Sequence, residues 1–210
     1  MLNTNNNQDN FSQSGVVDLF SEKYKTAGKF GNFLIDNFYN SINSLIDQIP
    51  NKESLSWVHE VACGPGESTK RIFDYLNKVS KKTASDFEID LVNFAEKENP
   101  SIKFYQESIY KIEAKEKEVD LIFALEVLEH LENPEKAIKE MARVSKYAII
   151  STPNEPLWRA MNVARLKYVS DLGNTPGHLN HWSPFGLYPN LYQLTHSTDI
   201  PNNLNFQIMF

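Results

Sequence analysis

The residues best suited to chemistry are two acids, two glycines and three histidines spread along a chain of 210 residues. Glu60 stands ahead of the turn Ala62-Cys63-Gly64-Pro65-Gly66, and Asp86 follows Glu60 by 26 positions. Glycines in such a turn allow a tight bend and let a ligand approach backbone N–H groups closely. Glu60, just before the turn, is expected to attract a cation. A carboxylate such as Asp86 can accept both hydroxyls of a ribose, and the analogous acid of dinucleotide folds lies about 20 residues past the loop. His130, His178 and His181 are the candidate bases, because imidazole changes charge near neutral pH.

These residues need a scaffold that brings them to one edge. Trp57 to Val61 reads as a strand. The turn after it opens into a helix with apolar Ile72, Phe73, Leu76 and Val79. Strand, glycine turn and helix together present a ligand site at the carboxyl edge of an open α/β sheet. A dinucleotide fingerprint requires a third glycine where Thr69 stands, and a phosphate-binding P-loop requires Gly-Lys-Ser/Thr, which is absent. Further strands are expected at Thr83–Asp86, Ile102–Tyr105, Val119–Ala124 and Tyr147–Ser151. Asn133-Pro134 is an N-cap with proline at the first helical position, and its helix carries Ala137, Ile138, Met141 and Ala142 inward. Strand and helix alternate throughout, which implies a parallel sheet with helices on both faces. A helix over 31–48, with Leu34, Phe38, Ile42, Leu45 and Ile49 on one stripe, precedes the first strand. Lys78 to Lys82 reads as a solvated helix end, and Lys111 to Glu118 as a solvated helix or loop.

The segment Glu60-Val61-Ala62-Cys63-Gly64-Pro65-Gly66 resembles the first motif of class I S-adenosylmethionine (SAM) dependent methyltransferases, with Ala62 in place of the first glycine. Asp86-Phe87-Glu88-Ile89 resembles the second motif. Asp120-Leu121-Ile122-Phe123-Ala124-Leu125-Glu126-Val127-Leu128-Glu129-His130-Leu131 resembles the fourth-strand motif of members acting on small molecules and lipids. The run from Asn154 to Trp182 resembles a bacterial and archaeal branch of the same family. The resemblance covers roughly 20–182. It implies a Rossmann-like, doubly wound, mostly parallel α/β sheet, S-adenosyl-L-methionine as cofactor, and methyl transfer to a small-molecule or lipid-like acceptor. It implies cofactor contacts from Glu60, Ala62, Cys63, Gly64, Pro65, Gly66, Asp86, Phe87, Ser108, Ile109, Ala124, Leu125 and Glu126. Where the family often has Gly-Asp before the adenine contact, this chain has Glu107 and Ser108, and a serine accepts a hydrogen bond more weakly than a carboxylate. A hydroxyl acceptor would require a base, with His130, His178 or His181 as candidates; a thiol, amine or carbanion would not. Arg159 and Arg165 read as surface charge on an amphipathic helix over 157–172, the alternative being that they face an anionic substrate.

Composition narrows the alternatives. A net charge of −6 argues against a general nucleic-acid binder. No stretch approaches the ~20 apolar residues of a membrane span, and the N-terminus lacks the pattern of a signal peptide. A single cysteine, Cys63, rules out an internal disulfide and a Cys-rich zinc site, and fits a reducing, cytoplasmic setting. No metal site is expected. The Asn-rich stretch 1–14 reads as a disordered extension, followed by a single domain over 15–210 with a short helix at 16–24. Beyond Ser183 the resemblance fails, and Tyr188–Leu194 and Leu204–Phe210 are the candidates for edge strands. Two rival readings are a degenerate methyltransferase fold that only binds a partner, and an NAD-dependent oxidoreductase.

Overall fold

The computed structural model describes residues 29–153, 179–180 and 205–209. The expected extension at 1–14, the helices at 16–24 and 157–172, Arg159, Arg165, His178, His181 and the strand at 188–194 lie outside the described residues.

Among the described residues six strands form one sheet in the order β3-β2-β1-β4-β5-β6: β1 Trp57–Val61, β2 Lys81–Asp86, β3 Lys103–Gln106, β4 Val119–Leu125, β5 Ser145–Ser151 and β6 Asn205–Met209. Every pairing is parallel. The expected strands at 83–86, 102–105, 119–124 and 147–151 are thus present with small shifts of boundary. The terminal candidate at 204–210 is also a strand, and it pairs alongside β5 in parallel. The strand order reverses direction between β1 and β4, and this switch point opens a crevice at the carboxyl ends of the strands.

The helices are α1 Lys29–Asp47, α2 Glu67–Tyr75, α3 Ile89–Glu98 and α4 Pro134–Val144. Alternation along the central strands divides the core in two. Leu121, Phe123 and Ile149 pack with α1, α2 and α3 on one face; Ile122, Ala124, Ala148 and Ile150 pack with α4 on the other. Strand β4 is buried on both faces, which is why its sequence is nearly continuous in apolar residues. In α1 the buried stripe is Tyr39, Ile42 and Ile46, continued by Ile49 just past its end, whereas Leu34 of the expected stripe is 37% exposed. All four apolar residues expected after the glycine turn are buried, as are the four of α4. Asn133 caps α4 by accepting from the Lys136 N–H at 3.0 Å, with Pro134 in the first turn.

Of two charged stretches, one differs from expectation and the other is the loop that was one of its two expected forms. Lys81 and Lys82 open β2 and do not end a helix. Lys82 Nζ donates to Phe73 O at 3.0 Å, and Lys81 sits over the Trp57 ring. The connection from 107 to 118 contains turns and no helix. It is clamped to α4: Arg143 donates to Ile112 O at 3.0 Å and Ala114 O at 2.9 Å, and Lys117 Nζ reaches Ala142 O and Ser145 O. Charged side chains satisfy a backbone that has no ladder of its own. This leaves the face of β1, β2 and β3 on the α4 side without a covering helix between β3 and β4.

At the opposite, amino edge, Asp120 accepts from Ser56 N, Ser56 Oγ, Trp57 N and Lys146 Nζ at 2.6–3.0 Å. Burial opposes its ionisation, but these four donors outweigh it and hold the carboxyl at about 2.

Candidate cofactor site

The glycine turn is built from three left-handed residues: Ala62 at φ +52°, Gly64 at +55° and Gly66 at +83°. The two glycines do different things. A Cβ on Gly66 would lie 3.0 Å from both Ala95 Cβ and Asn99 Nδ2, and 3.4 Å from Phe104. Gly66 therefore lets the start of α2 press against α3 and β3. A Cβ on Gly64 would meet nothing within 4 Å, so this residue faces the open side of the turn. Ala62 holds a conformation that glycine adopts more easily.

Asp86 ties the tip of β2 to this turn. One carboxylate oxygen accepts from the Gly64 N–H at 2.8 Å, and the other from the Glu88 N–H at 3.0 Å. Each oxygen retains lone-pair capacity, so a ligand with two neighbouring hydroxyls can be received there beside the open face of Gly64. Phe87, the next residue, is 68% exposed, and its carbonyl accepts from Gln106 Nε2.

Glu60 faces elsewhere. It is 1% exposed and accepts hydrogen bonds from the hydroxyls of Thr69 and Ser68 in the first turn of α2. Burial, with Asp86 nearby, pushes its carboxyl up to about 7. Its place is beneath the turn, fastening α2 to β1. Cys63 is also buried. Desolvation first, then the charges of Glu60 and Asp86, push its thiol far up, so it remains a thiol. Its backbone N–H donates to Ser85 O at 3.0 Å. Pro65 is buried beside it.

At the end of β3, the Ser108 hydroxyl accepts from the Tyr110 N–H at 3.3 Å, and Ile109 is buried. At the end of β4, Ala124 is buried and Leu125 partly so. Glu126 is again left-handed, at φ +56°. Its N–H donates to Ser151 O at 3.1 Å, and the Ser151 hydroxyl donates to its carboxylate at 2.9 Å. Held non-glycine residues of this kind cluster at functional sites. Ala62–Gly66, Asp86–Phe87, Ser108–Ile109 and Ala124–Glu126 thus all stand at the carboxyl edge, on the four adjacent strands β1 to β4.

His130 lies on a short turn, Leu128–His130, after β4. Its side chain is about half exposed, and its Nε2 stands 3.9 Å from Oε1 of the buried Glu129. The backbone N–H groups of Leu179 and Asn180 both donate to Glu129 O, at 2.8 and 3.0 Å. The Asn180 amide donates to Leu128 O and Leu131 O at 3.2 and 2.6 Å. The dipeptide that separates His178 from His181 in the sequence is therefore anchored on the turn that carries His130. Sequence reasoning missed Asn180 as this anchor and Ser151 as the partner of Glu126; the Gly/Pro-rich context drew attention to the histidines instead. Thr152, at the end of β5, is buried with its hydroxyl unpaired among the described residues. Among those residues no group of three or more His, Cys, Asp or Glu side chains could hold a metal ion.

Residues 59–147 match the family model described as a methyltransferase domain. No curated protein matches the chain. Among solved structures, magnesium protoporphyrin IX methyltransferase from Synechocystis PCC 6803, with bound SAH, superposes with a TM-score of 0.60 at 13% identity, covering 87% of this chain and 86% of that one. The putative methyltransferase complexed with the Trm112 methyltransferase activator of Haloferax volcanii gives 0.55 at 11% identity, covering 85% and 75%. A putative SAM-dependent methyltransferase from Methanococcus maripaludis gives 0.53 at 17% identity, covering 78% and 75%. At these identities the likeness is one of fold.

Proposed function

We propose that this chain, which carries a methyltransferase domain on the class I SAM-dependent methyltransferase fold, transfers the methyl group of SAM to a small-molecule or lipid-like acceptor. The observation that carries the reading is Asp86, bonded to the Gly64 N–H at 2.8 Å beside the open face of the turn. The fit is good: a carboxylate with spare lone pairs suits ribose hydroxyls, and an open left-handed Gly64 suits a ligand lying on the backbone. Phe87 and Ile109 would flank the adenine, Ser108 would bond its edge, and Ala124, Leu125 and Glu126 would line the methionine end. SAM supplies an activated methyl on a sulfonium, and methyl transfer to a nucleophile leaves the neutral thioether.

The work left to the chain's own residues is positioning and proton removal. Holding nucleophile and methyl in line supplies most of the rate. For a hydroxyl acceptor the base would come from His130, or from His178 or His181, which flank the segment anchored by Asn180. Glu60, turned under the loop, serves the loop's shape. No described helix is long and apolar enough to cross a membrane.

A second reading, a binding protein on a degenerate methyltransferase fold, draws support from Ala62, whose φ of +52° marks a position better suited to glycine. Calorimetric titration with SAM and, in parallel, NAD separates the readings. The expected result is micromolar SAM binding, strongly weakened by Asp86→Ala and Gly64→Arg. No heat with SAM from folded protein refutes SAM-dependent transfer and favours the binding protein. Binding of NAD alone identifies an oxidoreductase.

A further inference from the structure

A cavity of about 450 Å³ opens on the face of β1, β2 and β3 that no described helix covers. Its floor is a relay of buried polar groups. The Trp57 indole N–H donates to the Thr83 hydroxyl at 2.8 Å. Thr83 Oγ1 and His59 Nδ1 are 2.8 Å apart, and His59 Nε2 and Ser85 Oγ are 3.1 Å apart. The Thr83 hydroxyl thus accepts from the indole and faces His59 Nδ1, while His59 Nε2 faces Ser85 Oγ; which ring nitrogen carries the proton follows the tautomer. His59 Nε2 stands 3.9 Å from a Glu107 oxygen, Oε2, too far for a hydrogen bond.

Glu107 is where the relay stops. Its side chain is nine-tenths buried. Oε1 accepts from the Glu113 N–H at 2.9 Å, but Oε2 is buried with no hydrogen-bond partner. Native structures leave few buried acceptors without a donor. At the mouth, Lys111 is exposed and makes no ion pair among the described residues, Lys81 caps the Trp57 ring, and Glu113 is exposed on the rim. The cavity thus offers a carboxyl oxygen without a donor at depth and, among the described residues, a lysine without an ion pair at its entrance. Its size falls within the ~300–1,000 Å³ of small-molecule pockets.

We propose that this cavity is a second small-molecule site, on the sheet face and adjoining the cofactor edge at Ser108, that takes a zwitterion of the amino-acid class with its ammonium on Glu107 Oε2 and its carboxylate at Lys111. The ammonium supplies the donor that Glu107 lacks. The carboxylate supplies the partner that Lys111 lacks, while Glu113 on the rim disfavours a second anionic group.

The test uses ω-amino acids of increasing length, from glycine to 6-aminohexanoate, with propylamine and propionate as controls. The readout is the Trp57 indole N–H signal in a two-dimensional NMR spectrum of the full chain, assigned by its loss in Trp57→Phe. It requires neither SAM nor turnover, so its result is independent of the function proposed above. One chain length is expected to move the signal saturably and to bind more tightly than either control. Glu107→Gln, which preserves shape, is expected to weaken binding roughly thirtyfold or more, as for a buried charge pair losing one partner. Lys111→Glu, at an exposed position that leaves folding intact, is expected to weaken it roughly tenfold. An unmoved Trp57 signal with every probe means the cavity holds solvent only and overturns the proposal. So does undiminished binding in Lys111→Glu, or propylamine binding as tightly as the best amino acid.

Discussion

The three left-handed residues of the glycine turn should respond to substitution in a graded way that follows from their surroundings. Alanine at a positive φ costs about 1–2 kcal/mol against glycine. About 0.4–1 kcal/mol is recovered because alanine restricts the unfolded chain. Gly64→Ala carries only that balance, about 1 kcal/mol, since its Cβ would meet no atom within 4 Å. Gly66→Ala carries the same balance plus a Cβ placed 3.0 Å from Ala95 and Asn99. Overpacking of this kind adds about 1–3 kcal/mol. Asn99 cannot swing aside freely, because its amide donates to Ala95 O at 3.1 Å. The sum for Gly66→Ala is roughly 2–4 kcal/mol. Ala62→Gly runs the balance in reverse and also loses a partly buried methyl, so it should lie within about 0.5 kcal/mol of neutral. Urea denaturation of the three variants, with m-values held common, measures the ladder directly. At about 2–4 °C per kcal/mol, Gly66→Ala should lower Tm by roughly 4–16 °C and Gly64→Ala by a few degrees. If the two glycine variants agree within error, the distinction between a packing glycine and an open one is wrong.

Other outcomes follow from groups described above. Asp120 is held at about 2 against an ordinary 3.8, so its stabilisation is complete above the unfolded value and is lost as pH falls toward 2; it amounts to roughly 2 kcal/mol. Asp120→Asn should remove that dependence in acid denaturation followed by circular dichroism. Glu60 behaves oppositely: raised from 4.5 to about 7, it favours the folded state most below pH 4.5 and progressively less as pH rises through 7. Glu60→Gln should flatten that decline in chemical denaturation across this window. Asn180→Ala removes two hydrogen bonds to the turn of His130, worth roughly 1 kcal/mol each. On the proposed reaction it should slow methyl transfer while leaving the SAM dissociation constant unchanged, as calorimetry beside a steady-state assay would report.

The fold was legible where one physical requirement dominates a stretch. Val119 to Ala124 has to be apolar on both faces to sit at the centre of a parallel sheet, and no other arrangement suits it as well. The α4 stripe and its Asn133-Pro134 start are equally plain. The stretch from Lys111 to Glu118 is the exposed loop that its charges allow, but its anchoring on α4 through Arg143 and Lys117 left no trace in the sequence, because those partners are distant along the chain. Lys81 and Lys82 failed for a similar reason: one covers an indole and the other reaches a helix carbonyl. Within the site, the motif residues were found at the expected edge, but the direction of a side chain is not a sequence property. Glu60 turns beneath the loop because Ser68 and Thr69 offer hydroxyls there. The His59–Thr83–Ser85 relay left a readable trace, since polar residues recur on one face of β1 and β2 where apolar ones are the rule.

The parallel pairing of β6 with β5 sets the order in which the sheet can be completed. Partners in β1 and β2, such as Trp57 and Lys81, are about two dozen residues apart, while Tyr147 and Asn205 in β5 and β6 are separated by nearly sixty. At a synthesis rate of about 5–20 residues per second, β5 leaves the ribosome roughly 3–12 seconds before the strand that covers it. During that interval Ala148, Ile149 and Ile150 lie on an unpaired edge, the surface most prone to capture by another nascent chain. The exposure of this edge is therefore a matter of timing, concentrated in the seconds between two strands that end up side by side.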